Sequence, residues 1–172
     1  RDYQLSAIEE GRSEAVKAFV IPKQRDQDAV QRVAHLLQQQ GVRIEEAREE
    51  FKACSNNRLP SGSLIINLDQ PAKRLVRTLL DQQVSMDPEF VAEQERRRAK
   101  NLSDEFYDVT AWSMPLLFNI EVLECDRKIS VASARFAPPV SAESLPVASV
   151  AYLVPWGERD AVQLLAKALR DN

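Results

Sequence analysis

The run Ala18-Phe19-Val20-Ile21-Pro22, followed by a helical segment from Asp28 to Gln40, recurs near the end of the chain as Ala151-Tyr152-Leu153-Val154-Pro155, followed by Asp160 to Leu169. Both helical segments open on Asp-Ala-Val-Gln, and the loop before them is one residue shorter in the second copy. Each unit joins a short continuous apolar run, the pattern of a strand covered on both faces, to an amphipathic helix. Repeated strand-loop-helix units of this kind point to an α/β fold with a mostly parallel sheet flanked by helices.

In the first helix Ala29, Val30, Val33, Leu36 and Leu37 fall on one stripe, with Asp26 or Asp28 placed to cap its start and Gly41 to take the left-handed turn past its end. His35, the only histidine, falls on the opposite face, as does its counterpart Lys167, and reads as solvated. Gly62 to Leu68 carries the second buried-strand signal. Val42 to Ala47 alternates apolar and polar residues and reads as a strand near a sheet edge, and Arg48 to Ser61 as a loop or short hairpin. Asp69 as cap and Pro71 in the first turn open a helix that points Leu75, Val76, Leu79 and Leu80 inward and leaves Lys73, Arg74 and Arg77 on a solvated side. A helix from Glu89 to Lys100 puts Gln94, Arg97 and Arg98 at inward positions and reads either as a surface element with solvated arginines or as one that packs on a partner domain through charge pairs. Asp104 to Cys125 is the densest apolar stretch, with a short helix ending at Phe118, a left-handed Asn119 and a strand from Ile120 to Leu123. Ile129 to Val131 and Arg135 to Ala137 read as short, weak strands.

The expected organisation is a lead-in helix over 1–17, an α/β domain over 18–137, a linker over 138–147, and the second unit over 148–172, which either completes the sheet or opens a further lobe. A first residue other than Met, and an end at Asn172 just past a helical run, read as a piece of a longer polypeptide.

At 172 residues with 44% apolar and 28% charged side chains, the chain has the makings of one globular core. A net charge of −3 offers no footprint for nucleic acid, and no apolar run reaches the roughly 18 residues that span a bilayer. Cys54 and Cys125 leave two readings open, a pair of free thiols or, in an exported protein, one bridge. The four glycines are not clustered into a phosphate loop, and one outward histidine with two distant cysteines does not make a zinc site. Cys125 follows a strand, as a nucleophile can, but Asp126-Arg127-Lys128 lacks the glycines of a tight elbow and His35 faces away. No catalytic and no metal-binding residue is assigned. In a doubly wound fold a ligand cleft lies beyond the carboxyl ends of the strands, and the candidates to line it are Pro22 to Asp26, Asp69, Tyr107, Asp108, Thr110, Trp112 and Trp156. Asp108, set among aromatic residues, also reads as a helix cap or turn residue.

Three features together resemble the non-catalytic C-terminal region of bacterial zinc carboxypeptidase family proteins, of the carboxypeptidase A clan. They are Tyr107-Asp108-Val109-Thr110-Ala111-Trp112-Ser113-Met114-Pro115-Leu116; the segment from Pro60 through Gly62, Leu64-Ile65-Ile66 and Asp69-Gln70-Pro71 to Arg74-Leu75-Val76; and Ala151-Tyr152-Leu153-Val154-Pro155-Trp156. The resemblance spans most of residues 18 to 170, departing at Asn119 where glycine is usual. It implies a three-layer, flavodoxin-like domain similar to the class I glutamine amidotransferase fold without that fold's catalytic residues. It also implies a periplasmic or secreted setting and an accessory role: packing, substrate access or oligomer contact. The partner it implies is the rest of the same polypeptide, above all an upstream peptidase domain, with a homo-oligomer as a further option. The family's zinc belongs to that peptidase domain, whose histidine ligands have no match here, so no cofactor is expected in this chain. The alternative from another class is a small-molecule or peptide-binding α/β module without catalysis.

Overall fold

A computed structural model describes residues 2–82, 87–103, 113–138, 149–154, 156 and 159–171. The helices are α1 (Asp2–Ser13), α2 (Gln27–Gln39), α3 (Lys73–Leu80), α4 (Pro88–Ala99), α5 (Met114–Phe118) and α6 (Arg159–Arg170). The strands are β1 (Ala18–Ile21), β2 (Glu45–Ala47), β3 (Phe51–Ala53), β4 (Asn57–Leu59), β5 (Leu64–Asn67), β6 (Leu123–Cys125) and β7 (Ser133–Arg135).

Strand β1 is buried over its whole length, as its unbroken apolar run requires. It lies in a five-stranded sheet of order β6-β1-β5-β2-β7, and every neighbouring pair runs antiparallel. This overturns the expectation of a mostly parallel, three-layer, flavodoxin-like sheet. An apolar run reports that both faces of a strand are covered; it does not report the direction of its neighbours. The β1-α2-β2 unit does return to the same sheet in the same direction, since both strands run antiparallel to β5. The slot between them is filled by β5, which arrives through the β3–β4 hairpin, so the crossover is split and no parallel pair forms.

The two faces of the sheet are covered differently. Phe19, Ile21, Leu64 and Ile66 face Val30, Val33 and Leu37 of α2, Val76 and Leu80 of α3, and Met114 and Phe118 of α5. Ala18, Val20, Ile65 and Cys125 face the hairpin and the chain after β6, through Phe51, Cys54, Leu59 and Ile129. Among the described residues helices therefore cover one face only, and the hairpin supplies the second apolar cover that the sequence assigned to helices. Asp26 accepts from the Ala29 amide and starts α2, Gly41 takes φ +81 beyond it, and Asn119 is left-handed after α5.

Helix α1 docks on α3 by close approach and charge. A Cβ at Gly11 would sit 2.0 Å from the Leu68 carbonyl oxygen, so only glycine lets the helix come this near. Lys73, expected on a solvated side, is 5% exposed and donates to Glu14 and, at 3.2 Å, to Glu10. Arg74 pairs with Glu10 and lies 4.1 Å above the Tyr3 ring, and Arg77 pairs with Asp81 at 3.0 Å. The solvated reading fails for Lys73 and Arg74 because their partners sit on α1, far away in sequence, while Arg77 pairs four residues on within its own segment. The cap expected at Asp69 is also absent: α3 begins at Lys73 after Ala72, with no side-chain cap.

The second unit stands outside the sheet. Both flanks of β1 are taken by β5 and β6, and residues 151–154 belong to no strand. Helix α6 touches α2 through Arg32, whose guanidinium meets Asp160 at 2.8 Å, and buries Ala161 alone of its apolar side chains. The reading in which the second copy completes the sheet is thus not the observed arrangement.

Candidate functional site

An antiparallel sheet separates residues that a parallel one gathers. Ala18 of β1 stands opposite Asn67 of β5 and Cys125 of β6, whereas Ile21 stands opposite Leu64. Asp69, just past β5, therefore lies at one end of the sheet. Pro22 to Asp26, just past β1, lie at the other, with the whole length of β1, about 10 Å at about 3.4 Å per residue, between the two groups. Trp156 belongs with the second group, its carbonyl accepting from the Arg25 guanidinium at 2.7 Å. The cleft expected beyond the strand ends does not gather these residues, since it presupposed a common strand direction. Tyr107, Asp108, Thr110 and Trp112 lie outside the described residues.

The Asp69 end holds the more organised constellation. Cys54, in the turn of the β3–β4 hairpin, is bridged to Cys125 at the end of β6, which decides between the two readings of the cysteines and removes Cys125 as a thiol nucleophile in this state. The turn carries Cys54, Ser55 and Asn56 all at positive φ, a conformation that costs non-glycine residues energy and that tertiary ties must hold. The Asn57 side-chain amide donates to the Cys54 carbonyl at 2.7 Å, and the bridge anchors the turn to the sheet.

Asn67 ties the chain after β6 to β5 by donating to the Ile129 carbonyl and accepting from its amide, both at 3.0 Å. Gln70, fully buried, accepts from the Arg43 amide at 2.7 Å and donates to the Asn67 carbonyl at 2.6 Å, closing the end of β5. Asp69 projects between these ties, where the Lys128 ammonium meets it at 2.6 Å and the Arg43 guanidinium reaches its carbonyl at 2.7 Å. Sequence reasoning singled out Asp69 twice, as a helix cap and as a candidate to line a cleft shared with Pro22 to Asp26 and Trp156, and it is the company expected there that differs. It missed Lys128, Arg127 and Lys52, although Asp126-Arg127-Lys128 was the run that counted against a nucleophile elbow.

Two titratable clusters lie outside this constellation. Hydrogen bonds from Arg74 and then Lys73 hold the Glu10 carboxyl below the ordinary range, and Glu10 in turn raises Arg74. At the other edge of the sheet, burial and then the charge of Asp81 push Glu124 above the ordinary carboxyl range, beside a cavity of about 370 Å³ that it shares with Phe19 and Arg77. Among the described residues no group of three or more His, Cys, Asp or Glu side chains is placed to hold a metal ion, and no helix is long and apolar enough to cross a membrane. His35 is exposed on α2 and bonded to the Gln39 side chain at 3.0 Å.

Comparison with protein-family models, with curated proteins and with solved structures finds no match to this chain.

Proposed function

We propose that this chain is a non-catalytic accessory domain of a larger, exported protein resembling the zinc carboxypeptidases, and that it works by contact with the rest of its polypeptide. The observation that carries the reading is the contrast between the two copies of the repeated unit. Val30, Val33 and Leu37 of α2 are buried on the sheet, while their counterparts Val162, Leu165 and Leu169 of α6 are 50%, 45% and 72% exposed. An amphipathic helix gains its stability from covering such a stripe. The first copy indicates the occupant: a body offering apolar strands and a helix, as β5, β6 and α5 do for β1 and α2.

Two further points support the reading. The run from Tyr107 to Leu116 resembles the non-catalytic region of that family, and the Cys54–Cys125 bridge suits a periplasmic or secreted protein, where disulfides persist. With both cysteines bridged, His35 is the one nitrogen or sulfur side chain left of the kinds that structural zinc prefers. The test is to assay the purified chain for release of C-terminal amino acids from peptides and for bound zinc by mass spectrometry. The reading expects neither. Stoichiometric zinc, or hydrolysis that persists through repurification, overturns it.

A further inference from the structure

Three cavities of about 490, 110 and 350 Å³ open at the Asp69 end of the sheet, and Lys128 lines all of them. Their walls carry six cations, Arg12, Lys17, Arg43, Lys52, Arg127 and Lys128, against three acids, Glu45, Asp69 and Asp126. A local excess of positive charge on a chain of net charge −3 is not a sample of its average surface. Asp69 pairs with Lys128 at 2.6 Å, Asp126 lies 4.0 Å from Arg127, and Glu45 accepts from the Ser133 hydroxyl at 2.7 Å, so six cations against three acids leave an excess of three positive charges on the walls. Lys52 and Arg12 have no carboxylate partner among the described residues.

The walls are also held in place before any ligand arrives. The Cys54–Cys125 bridge joins the hairpin turn to the start of the 125–131 segment, and the paired hydrogen bonds of Asn67 fix that segment again at Ile129. A groove ordered in advance spends little of its binding energy on ordering itself.

We propose that this groove binds an acidic peptide in an extended conformation, its carboxylates set on Lys52, Arg127, Lys128 and Arg12. The cations are spread over three cavities that share Lys128 as a wall, which suits separated negative charges better than one compact anion. Among the described residues no aromatic side chain lines the three cavities, and such side chains are what single-stranded nucleic acid stacks on. The proposal does not rest on the accessory-domain reading, since it concerns the opposite end of the sheet from Trp156, and the zinc and peptidase assays are blind to it.

The experiment is a titration of the intact, oxidised, ¹⁵N-labelled chain with acetylated hexaglutamate at low ionic strength, followed by amide shifts, with hexaglutamine and inorganic phosphate as parallel probes. Expected are saturable shifts confined to Gly11–Arg12, Lys52–Asn56, Asn67–Gln70 and Asp126–Val131, none with hexaglutamine, and weaker binding of phosphate. The double variant Lys52→Glu/Arg127→Glu changes two exposed side chains and should weaken hexaglutamate by about tenfold or more, while Lys167→Glu on α6 leaves it unchanged. Shifts that fail to saturate, that spread over other basic surfaces, that match those of phosphate in affinity, or that survive the double variant overturn the proposal.

Discussion

Val20 and Leu153 hold the same place in two copies of one strand-helix unit, yet Val20 is wholly buried and Leu153 is 98% exposed. The same local sequence is core in one setting and surface in the other, so what distinguishes the copies is supplied by their neighbours. Charge placed at the two positions should therefore act very differently. Val20→Asp puts an unpaired carboxylate between β5 and β6 and should cost more than about 4 kcal/mol, enough to abolish folding of many domains. Leu153→Asp should stay within about 0.5 kcal/mol of the parent in urea titrations followed by circular dichroism.

The α1–α3 contact makes a second prediction. Lys73 is nearly enclosed, whereas Glu10 and Glu14 keep more than a third of their side-chain surface in water. Removing the acids strands a buried ammonium; removing the lysine leaves two hydrated carboxylates. Glu10→Gln/Glu14→Gln should therefore cost more stability than Lys73→Met, which keeps the apolar stem. Chemical denaturation of both variants checks the order.

Glu124 sets a pH dependence at the edge strand. Burial first, and Asp81 next, raise its carboxyl in the folded state, with Arg77 opposing them. A raised folded pKa means that the folded state holds this proton more tightly than the unfolded chain. Its contribution is present below the ordinary carboxyl range and is lost as pH rises through the raised value. Glu124→Gln should flatten that part of the stability profile, read as melting temperature against pH from about 4 to 7 with Asp81 intact.

Reduction supplies a fourth prediction. The bridge closes a loop of sequence separation 71, so its loss should lower stability by about 4 kcal/mol in the chain-entropy view. Cys54→Ala/Cys125→Ala should show the same decrease, and should free the hairpin turn from its run of positive φ values. Denaturation with and without a dithiol reductant measures the first, and amide shifts of Ser55 and Asn56 the second.

What could be read in the sequence was what is local. The burial of β1 and β5, the Asp26 cap, and the left-handed turns at Gly41 and Asn119 all follow from neighbouring residues and are present, as is the stripe on α2 except that Leu36 is 40% exposed and Ala34 is buried. Strand direction was not legible, because Ala18-Phe19-Val20-Ile21 reads the same beside a parallel or an antiparallel partner. The burial of Lys73 depends on Glu10 and Glu14, and the Asp69 groove depends on Lys128, partners that no spacing rule connects. Asp69 was picked out because doubly wound folds bind at strand ends, and it does line a groove, though with Lys128 and Arg43 instead of Trp156.

Hydrogen–deuterium exchange of the intact chain, compared between residues 18–21 and 151–154, tests the central claim most directly. Amides of Phe19 to Ile21 should exchange only with global unfolding, whereas those of Tyr152 to Val154 should exchange at least about a thousandfold faster at neutral pH. Equal protection of the two segments would place the second copy inside a sheet and contradict the account.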